Sequence, residues 1–378
     1  MRTISTIHRW AGGFIGLLLA LIGLTGAILL WEGEWLSLPG AHDPLHENVA
    51  SIAAIAERAA SAGDLSRITF ASDETALHQL VFADGSGAYV RQDGAVVDRW
   101  ATQWERPELW LFDLHHHLFS GHVGETVTGI AGIAGFLFVV TGSLLWWRSR
   151  RRFAPTLWPG AFTPAGIVKH HRDLGILAAP LLLVSISTGL LMVFPGAADM
   201  ILSPLAADEA GQPPVASTAV PNRTPIAAAL EQSKRIFPRA ALRRLSLPAA
   251  TGGPIAVRMK QDFEWTPNGR TQLTFDASNG RLLTIDDPSR GPSSAAVREK
   301  FYPIHSAKVG PVAYKMVMTL SGLSLFVLGL FATYSFWLRK GTRSRLSRLT
   351  RHSSLRMRTV SPTRRNRRKG AQAASSGG

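Results

Sequence analysis

Long apolar runs alternate with longer polar segments along this chain. The apolar residues concentrate in four windows, at 12–31, 127–147, 174–194 and 312–337. Each window is long enough to cross a hydrocarbon core of about 30 Å at about 1.5 Å per residue. Tryptophans lie at or near the window ends, where an indole buries its ring and keeps its N–H hydrated. They are Trp10, Trp31, Trp35, Trp110, Trp146, Trp147 and Trp337. The pattern predicts an α-helical membrane protein with four transmembrane helices in a lipid bilayer.

Basic residues predict the orientation of these helices. About half of the 41 Lys and Arg residues precede the first window, separate the second from the third, or follow the fourth. By the positive-inside rule these segments and both termini are cytoplasmic. The loops at about 32–126 and 195–311 then project to the opposite side of the membrane. We expect the first window to be a retained anchor, since no small-residue cleavage site follows it.

The high pI of about 11.0 reflects these cytoplasmic segments. The tail at 341–378 is rich in Ser and Arg and has no aromatic residue, which favours a disordered topology determinant at anionic lipid over a nucleic-acid site. The chain has no cysteine, which excludes iron–sulfur ligation, zinc–thiolate sites and covalently attached haem. The sequence also lacks a Walker loop, a dinucleotide-binding glycine motif and a His-Glu-x-x-His motif.

Internal similarity predicts a tandem duplication. The same interval separates His8 from Thr25 and His171 from Thr188, and similar intervals separate His115 from Thr141 and His305 from Thr333. Each half is thus a span, a large loop and a span, which makes the repeats parallel, with a pseudo-two-fold axis normal to the membrane. The repeat places His8 opposite His171 near the cytoplasmic face. It places His115 opposite His305 near the outer face.

Four histidines at matching membrane depths suggest haem ligation. An ionisable side chain at that depth is a functional hypothesis by default, whereas a single interfacial histidine is more often a headgroup contact. Two imidazoles per iron leave no open coordination position, so electron transfer is the natural activity. His117 is the alternative to His115. Arg9 and Arg172 either pair with haem propionates or anchor the helices at the interface. Glycines near these positions either clear space for a macrocycle or pack helices; they are Gly12, Gly13, Gly16, Gly129, Gly132, Gly135 and Gly175.

The two loops repeat an α+β pattern. Residues 49–62 and 225–237 have the spacing of amphipathic helices. Alternating, strand-like runs follow at 67–70, 77–83, 87–92, 242–247, 254–260 and 270–276, and turn signals such as Asp93-Gly94 and Asn279-Gly280 separate them. Each loop is therefore predicted to be a helix packed on an antiparallel sheet.

These features resemble a known family. The strands ending at Tyr89–Val97 and Leu273–Leu283 resemble PepSY domains, and the spans with His-Arg and Thr-Gly resemble the PepSY-associated transmembrane family over roughly residues 4–340. That family includes iron-regulated inner-membrane proteins and ferrioxamine-type siderophore reductases, whose four spans hold two b-type haems. The resemblance implies a bacterial inner membrane with both large loops in the periplasm. It also implies that His8, His115, His171 and His305 are ligands of the haem iron. Two departures are Thr333-Tyr334, where Thr-Gly is expected, and the run of histidines at 115–117.

The expected division of the chain follows from these segments. It is transmembrane helix 1 at 1–31, a first periplasmic PepSY-like module at 32–114, helix 2 at 115–150, a cytoplasmic loop at 151–170, helix 3 at 171–195, a second module at 196–304, helix 4 at 305–340, and the basic tail at 341–378.

The leading functional hypothesis is a di-haem b oxidoreductase that reduces a periplasmic ferric siderophore and releases Fe(II). Because no flavin or nicotinamide motif is present, electrons are expected from a quinol or a separate reductase. The chelate is expected to dock between the two modules and the membrane, near Trp100, Trp104, Trp110 and Tyr302. One alternative is a PepSY-type protein that binds or restrains a peptidase without redox activity. Another is a haem subunit that serves a different periplasmic redox partner.

Overall fold

The computed structural model describes residues 1–156, 160, 162–205, 225–248, 253–291 and 293–358, with the backbone alone at 152 and 338–358. The helices are α1 Arg2–Leu29, α2 Glu32–Trp35, α3 Val49–Ala62, α4 Pro107–His117, α5 Gly121–Trp147, α6 Pro164–Val193, α7 Pro195–Leu202, α8 Pro225–Ile236, α9 Ser293–Arg298, α10 Phe301–His305 and α11 Val312–Arg358. The strands are β1 Leu65–Thr69, β2 His78–Phe82, β3 Gly87–Val90, β4 Val96–Trp100, β5 Ala241–Ser246, β6 Pro254–Lys260, β7 Thr271–Asp276 and β8 Leu282–Asp286.

Four of these helices are long and apolar enough to cross a membrane, which confirms the predicted number of spans. They are α1, α5, α6 and residues Val312–Trp337 of α11. In the bundle α1 packs on α11 and α5, and α6 packs on the same two helices. Ala178, Leu182 and Ile186 of α6 meet Leu328 of α11 in its core. Large apolar side chains such as Phe14 and Leu17 are exposed on the outside, as expected of a surface that faces lipid.

Glycines allow α1 and α11 to approach closely. A Cβ atom built on Gly16 would lie 2.8 Å from the Gly329 carbonyl oxygen, and one on Gly23 would lie 2.7 Å from that of Gly322. The reverse additions, at Gly329 and Gly322, would clash with Gly16 and Gly23. Each helix therefore presents two glycines, seven residues apart, to its antiparallel partner. Small residues at such crossings let backbones touch and gain dispersion contacts that lipid cannot supply.

The eight strands form a single antiparallel sheet in the order β4-β3-β2-β1-β5-β6-β7-β8. Strands β1 and β5, one from each loop, pair at its centre through Ile68 opposite Leu245. Helices α3 and α8 cover one face, where their alanines and Leu230 pack on alternate strand residues. On the opposite face, Leu36 and Ala41 pack against Leu77, Tyr89 and Trp100. The predicted helices at 49–62 and 225–237 are present as α3 and α8.

Edge strands β4 and β8 were not predicted. Among the residues of β4 only Trp100 is buried, and among those of β8 only Leu282. With a single buried position each, these edge strands lack the alternation of apolar and polar residues that identifies a strand with one buried face. Their partners are β3, whose residues are all buried, and β7, whose residues alternate between buried and half-buried. The sequence pattern identifies these two strands.

His115 and His305 lie outside the spanning helices, which differs from the expected boundaries at 115–150 and 305–340. His115 is in the last turn of α4, and His305 ends α10. Leu118 and Phe119 have φ values of 48° and 59°, and Ala307 has 50°, so a left-handed turn separates each short helix from the span that follows. The apolar windows at 127–147 and 312–337 begin after both turns, whereas the expected boundaries placed each histidine at the start of its span.

The last helix extends beyond the predicted end at residue 340. The backbone of α11 is helical to Arg358. From residue 342 to 358 there is no Gly or Pro to interrupt it, and Arg, Leu and Met favour helix. The segment 341–378 was expected to be disordered; its part at 359–378 lies outside the described residues.

Substitution of Gly329 tests the helix contact. Gly329→Ala should lower the thermal unfolding midpoint in detergent and weaken α1–α11 packing by about 1–3 kcal/mol, because the new methyl group meets the Gly16 backbone. Gly196→Ala is the matched control, since nothing lies within 4 Å of its added Cβ. Equal midpoints for both variants would contradict the close approach.

The buried His78 predicts a pH dependence of the sheet. Its Nδ1 accepts the Ala71 N–H at 3.1 Å, and burial lowers its pKa to about 4 from 6.5. Between pH 6.5 and 4, His78 is protonated in the unfolded chain but stays neutral in the folded sheet. The free energy of unfolding should therefore fall by up to about 3 kcal/mol as the pH is lowered over this range. His78→Gln should remove that slope in chemical denaturation followed by tryptophan fluorescence. An unchanged slope would contradict this assignment.

Candidate functional site

The structure brings the four membrane-level histidines together in two facing pairs. The ring centres of His115 and His305 lie 6.3 Å apart, beneath the sheet, and we call them the sheet-side pair. The ring centres of His8 and His171 also lie 6.3 Å apart, and we call them the far-side pair. Every pair joins one residue from each half of the chain. These are the pairs that the internal repeat predicts.

Threonine hydroxyls orient three of the four imidazoles. Nδ1 of His8 lies 2.8 Å from Thr141 Oγ1, that of His115 lies 3.0 Å from Thr25 Oγ1, and that of His305 lies 3.3 Å from Thr188 Oγ1. Each threonine belongs to a Thr-Gly dipeptide on a spanning helix and also bonds the carbonyl four residues before it, at 2.6 to 2.9 Å. Because the hydroxyl donates to that carbonyl, its oxygen is left to accept from the ring.

Backbone carbonyls settle the ring tautomer of the sheet-side pair. Nδ1 of His115 lies 3.1 Å from the Ile22 oxygen, and Nδ1 of His305 lies 2.9 Å from the Ser185 oxygen. A carbonyl only accepts, so both Nδ1 atoms carry the proton. In the neutral form of each ring the Nε2 lone pair is then available to a metal. This arrangement, in which one ring nitrogen is bonded and the other is free, is the usual one for ligating histidines.

The glycine of each Thr-Gly dipeptide makes room for the ring. An added Cβ would lie 2.9 Å from His115 Cε1 at Gly26, 3.0 Å from His305 Cε1 at Gly189 and 3.5 Å from His8 Cε1 at Gly142. We call such a dipeptide a seat for the imidazole. Its threonine oxygen accepts a hydrogen bond from Nδ1, and its glycine leaves space for the ring. The Thr-Gly dipeptides predicted the repeat and the family resemblance but no contact with the histidines, although their recurrence at matching intervals was the available signal.

The fourth seat is incomplete. His171 Nδ1 and Thr333 Oγ1 are both buried, and no hydrogen bond joins them in the described part of the chain. Tyr334 occupies the position of the expected glycine, with its side chain exposed. The departure from Thr-Gly that the sequence shows thus coincides with the one imidazole that lacks a threonine bond.

A cavity of about 320 Å³ surrounds the sheet-side pair. Its walls are mainly apolar and include Leu19, Ile22, Leu182 and Ile186. At the end nearest the sheet it is lined by Glu32, Tyr302 and Lys308. Lys308 Nζ lies 2.5 Å from Glu74 Oε2, and the two acidic residues and Tyr302 raise the pKa of Lys308. The cavity therefore has an apolar interior and a charged mouth.

The model of the PepSY-associated TM region matches residues 5–340. The chain belongs to this family. No curated protein matches the sequence. Together with the four long apolar helices, the family makes the chain a PepSY-associated membrane protein.

The remaining predicted residues of this PepSY-associated protein lie around the two pairs. His117 Nδ1 lies 3.0 Å from Asp113 Oδ1 and does not line the cavity, whereas His116 does and stacks on Phe112. Arg9 is exposed. Arg172 pairs with the fully buried Asp173 at 2.7 Å, a partner that the sequence did not suggest.

Of the residues predicted to dock the chelate, one lines the cavity and others lie elsewhere. Tyr302 lines the cavity, but Trp100 is buried against Tyr89, so it contributes to the sheet core and not to a cleft. Trp104 is exposed and packs on Phe119. Within the described part of the chain no group of three or more His, Asp or Glu residues is placed to hold a metal ion. The arrangement thus offers two separate positions with two imidazoles each.

Proposed function

We propose that the two pairs each bind a haem b. A metal–imidazole bond of about 2.0 Å and about 1.2 Å from nitrogen to ring centre would place two trans imidazole centres about 6.4 Å apart. Both pairs measure 6.3 Å. This separation is the observation that carries the proposal. The free Nε2 atoms, the apolar cavity and the glycine clearance of the sheet-side pair supply what a flat, apolar macrocycle requires.

Haem b held by two imidazoles supplies a one-electron carrier without an open coordination position. The chain's own residues then have defined tasks. His115 and His305 would hold the group near the sheet, and His8 and His171 would hold the other. Thr25, Thr188 and Thr141 keep three of the rings in the ligating tautomer. The apolar side chains would exclude water from the site.

The proposed activity is transfer of electrons across an inner membrane to a periplasmic ferric siderophore, with release of Fe(II). The electron donor would be a quinol or a separate reductase. Support comes from the two facing histidine pairs, the membership in the PepSY-associated family and the lack of a flavin or nicotinamide motif in the sequence. On this proposal the two halves are a parallel tandem repeat, both loops are PepSY modules on the periplasmic side, and the termini are cytoplasmic.

A haem count tests the proposal. The purified protein should show the reduced-minus-oxidised spectrum of haem b and two haems per chain by pyridine haemochrome. His115→Ala and His8→Ala should each retain one haem, since they break different pairs. His122→Ala, at an exposed histidine paired with Glu125, should retain two. A colourless protein would support the peptidase-binding alternative, and a coloured protein inactive on ferric siderophores would support another redox partner.

The threonine seats predict a graded loss of haem. Thr25→Val should weaken retention of the sheet-side haem by roughly 10- to 100-fold, because His115 loses one acceptor of its Nδ1 proton. The measurement is the rate of haem transfer to excess apomyoglobin. Thr333→Val is the matched control, because this buried hydroxyl has no bond to lose within the described structure. Equal rates for the two variants would contradict the role of the seats.

A further inference from the structure

Two arginines lie symmetrically about the centre of the sheet. In the pairing of β1 with β5, Arg67 is opposite Ser246, Thr69 is opposite Arg244, and Ile68 is opposite Leu245 between them. The sequences Leu65-Ser-Arg-Ile-Thr and Leu242-Arg-Arg-Leu-Ser therefore align about a local two-fold axis, with Arg67 and Arg244 as counterparts. Residues directly opposite point to the same face. Both arginines accordingly share one face, and Arg258 of β6 joins them because it is opposite Arg244.

This face is turned toward the helices that carry the sheet-side pair. Ile68 and Leu245 point to the other face, where α3 and α8 cover them. The register from Thr69 through Gln79 to Tyr89 places Tyr89 on the arginine face. Tyr89 donates to Glu108 of α4, the helix of His115. Tyr302 of α10, the helix of His305, is close enough to Arg244 to interact with it electrostatically.

The positive charge of these arginines is poorly compensated. Within the described part of the chain, neither Arg67 nor Arg244 has an ion pair, and their Nε atoms are shielded from solvent without a hydrogen-bond partner. Arg258 donates to Gln272 at 3.2 Å and has Asp286 and Glu264 nearby. Burial and the charges of Arg67 and Arg258 lower the pKa of Arg244 to about 10. Like charges on opposing strand positions destabilise a sheet unless an anion joins them.

We propose that Arg67, Arg244 and Arg258 form a binding site for a multiply charged carboxylate ligand, and that the substrate of this protein is a ferric polycarboxylate chelate. Three adjacent strands place the arginines across about 10 Å, which suits several carboxylates better than a single one. Guanidinium groups bind carboxylates through paired hydrogen bonds. The position on the local axis, facing α4 and α10, would hold the chelate near the sheet-side pair. The identification of the ligand as a substrate rests on the proposed function; the anion site does not.

A redox-inert ligand separates the two ideas. The probe is anionic gallium(III) citrate, measured by equilibrium dialysis with the full-length protein in detergent, with haem and after haem extraction. The wild type should bind it more tightly than an uncharged gallium(III) trihydroxamate, and added salt should weaken the binding. Arg67→Gln and Arg244→Gln should each weaken binding by about tenfold or more, as expected for loss of a charged hydrogen bond.

Arg99→Gln is the matched control. Arg99 is exposed on β4 opposite Ala88, on the face away from the cluster, so its binding of gallium citrate should equal that of the wild type. Thermal midpoints of all variants establish that they fold. Arg244→Lys, which keeps the charge but not the paired geometry, should fall between wild type and Arg244→Gln.

Three outcomes would overturn the inference. The first is equal affinity of the wild type for the charged and the uncharged gallium probe. The second is unchanged affinity for gallium citrate in both glutamine variants. The third is that these variants lose haem while, after haem extraction, they bind gallium citrate as tightly as the wild type. The last would assign the arginines to haem propionates. Gallium citrate binding in a protein that holds no haem would instead leave the anion site intact and contradict only the proposed redox function.

Discussion

The hydrogen bond from an imidazole Nδ1 to a threonine on a neighbouring helix is the interaction on which this structure depends. It joins α4 to α1 through His115 and Thr25, α10 to α6 through His305 and Thr188, and α1 to α5 through His8 and Thr141. A buried imidazole without a partner would destabilise an apolar bundle. The bond removes that penalty and simultaneously fixes which nitrogen is free. Stability and ring orientation thus have the same physical origin.

The bundle and the sheet are each held together by a contact between the two halves of the chain. Close contacts between α1 and α11 hold the helices of opposite halves together at Gly16 and Gly329. The pairing of β1 with β5 joins the two loops in a continuous sheet, which leaves β4 and β8 as the only free edges among the described strands. Both contacts link the first half of the chain to the second. The facing histidines follow from this organisation, because every pair takes one residue from each half.

Much of this arrangement was predictable because its signals are periodic. The four spans follow from runs of apolar residues, and α3 and α8 follow from amphipathic spacing. The pairing of His8 with His171 follows from equal intervals in the two halves. Features that depend on single backbone angles were not predictable: Leu118 and Ala307 have positive φ angles, although neither residue type favours the left-handed region. The buried partner of Arg172, Asp173, is its neighbour in sequence, yet only packing shows that the carboxylate is fully enclosed.

The left-handed turns after His115 and His305 have a consequence for how the two layers of the molecule communicate. Both rings are carried by short helices that descend from the sheet, whereas the threonines and glycines that receive them belong to the spanning helices. The sheet-side pair is therefore assembled only when the two layers are docked. Any displacement of the sheet relative to the bundle would draw both imidazoles away from their acceptors, so the position of the sheet and the geometry of this pair are mechanically coupled.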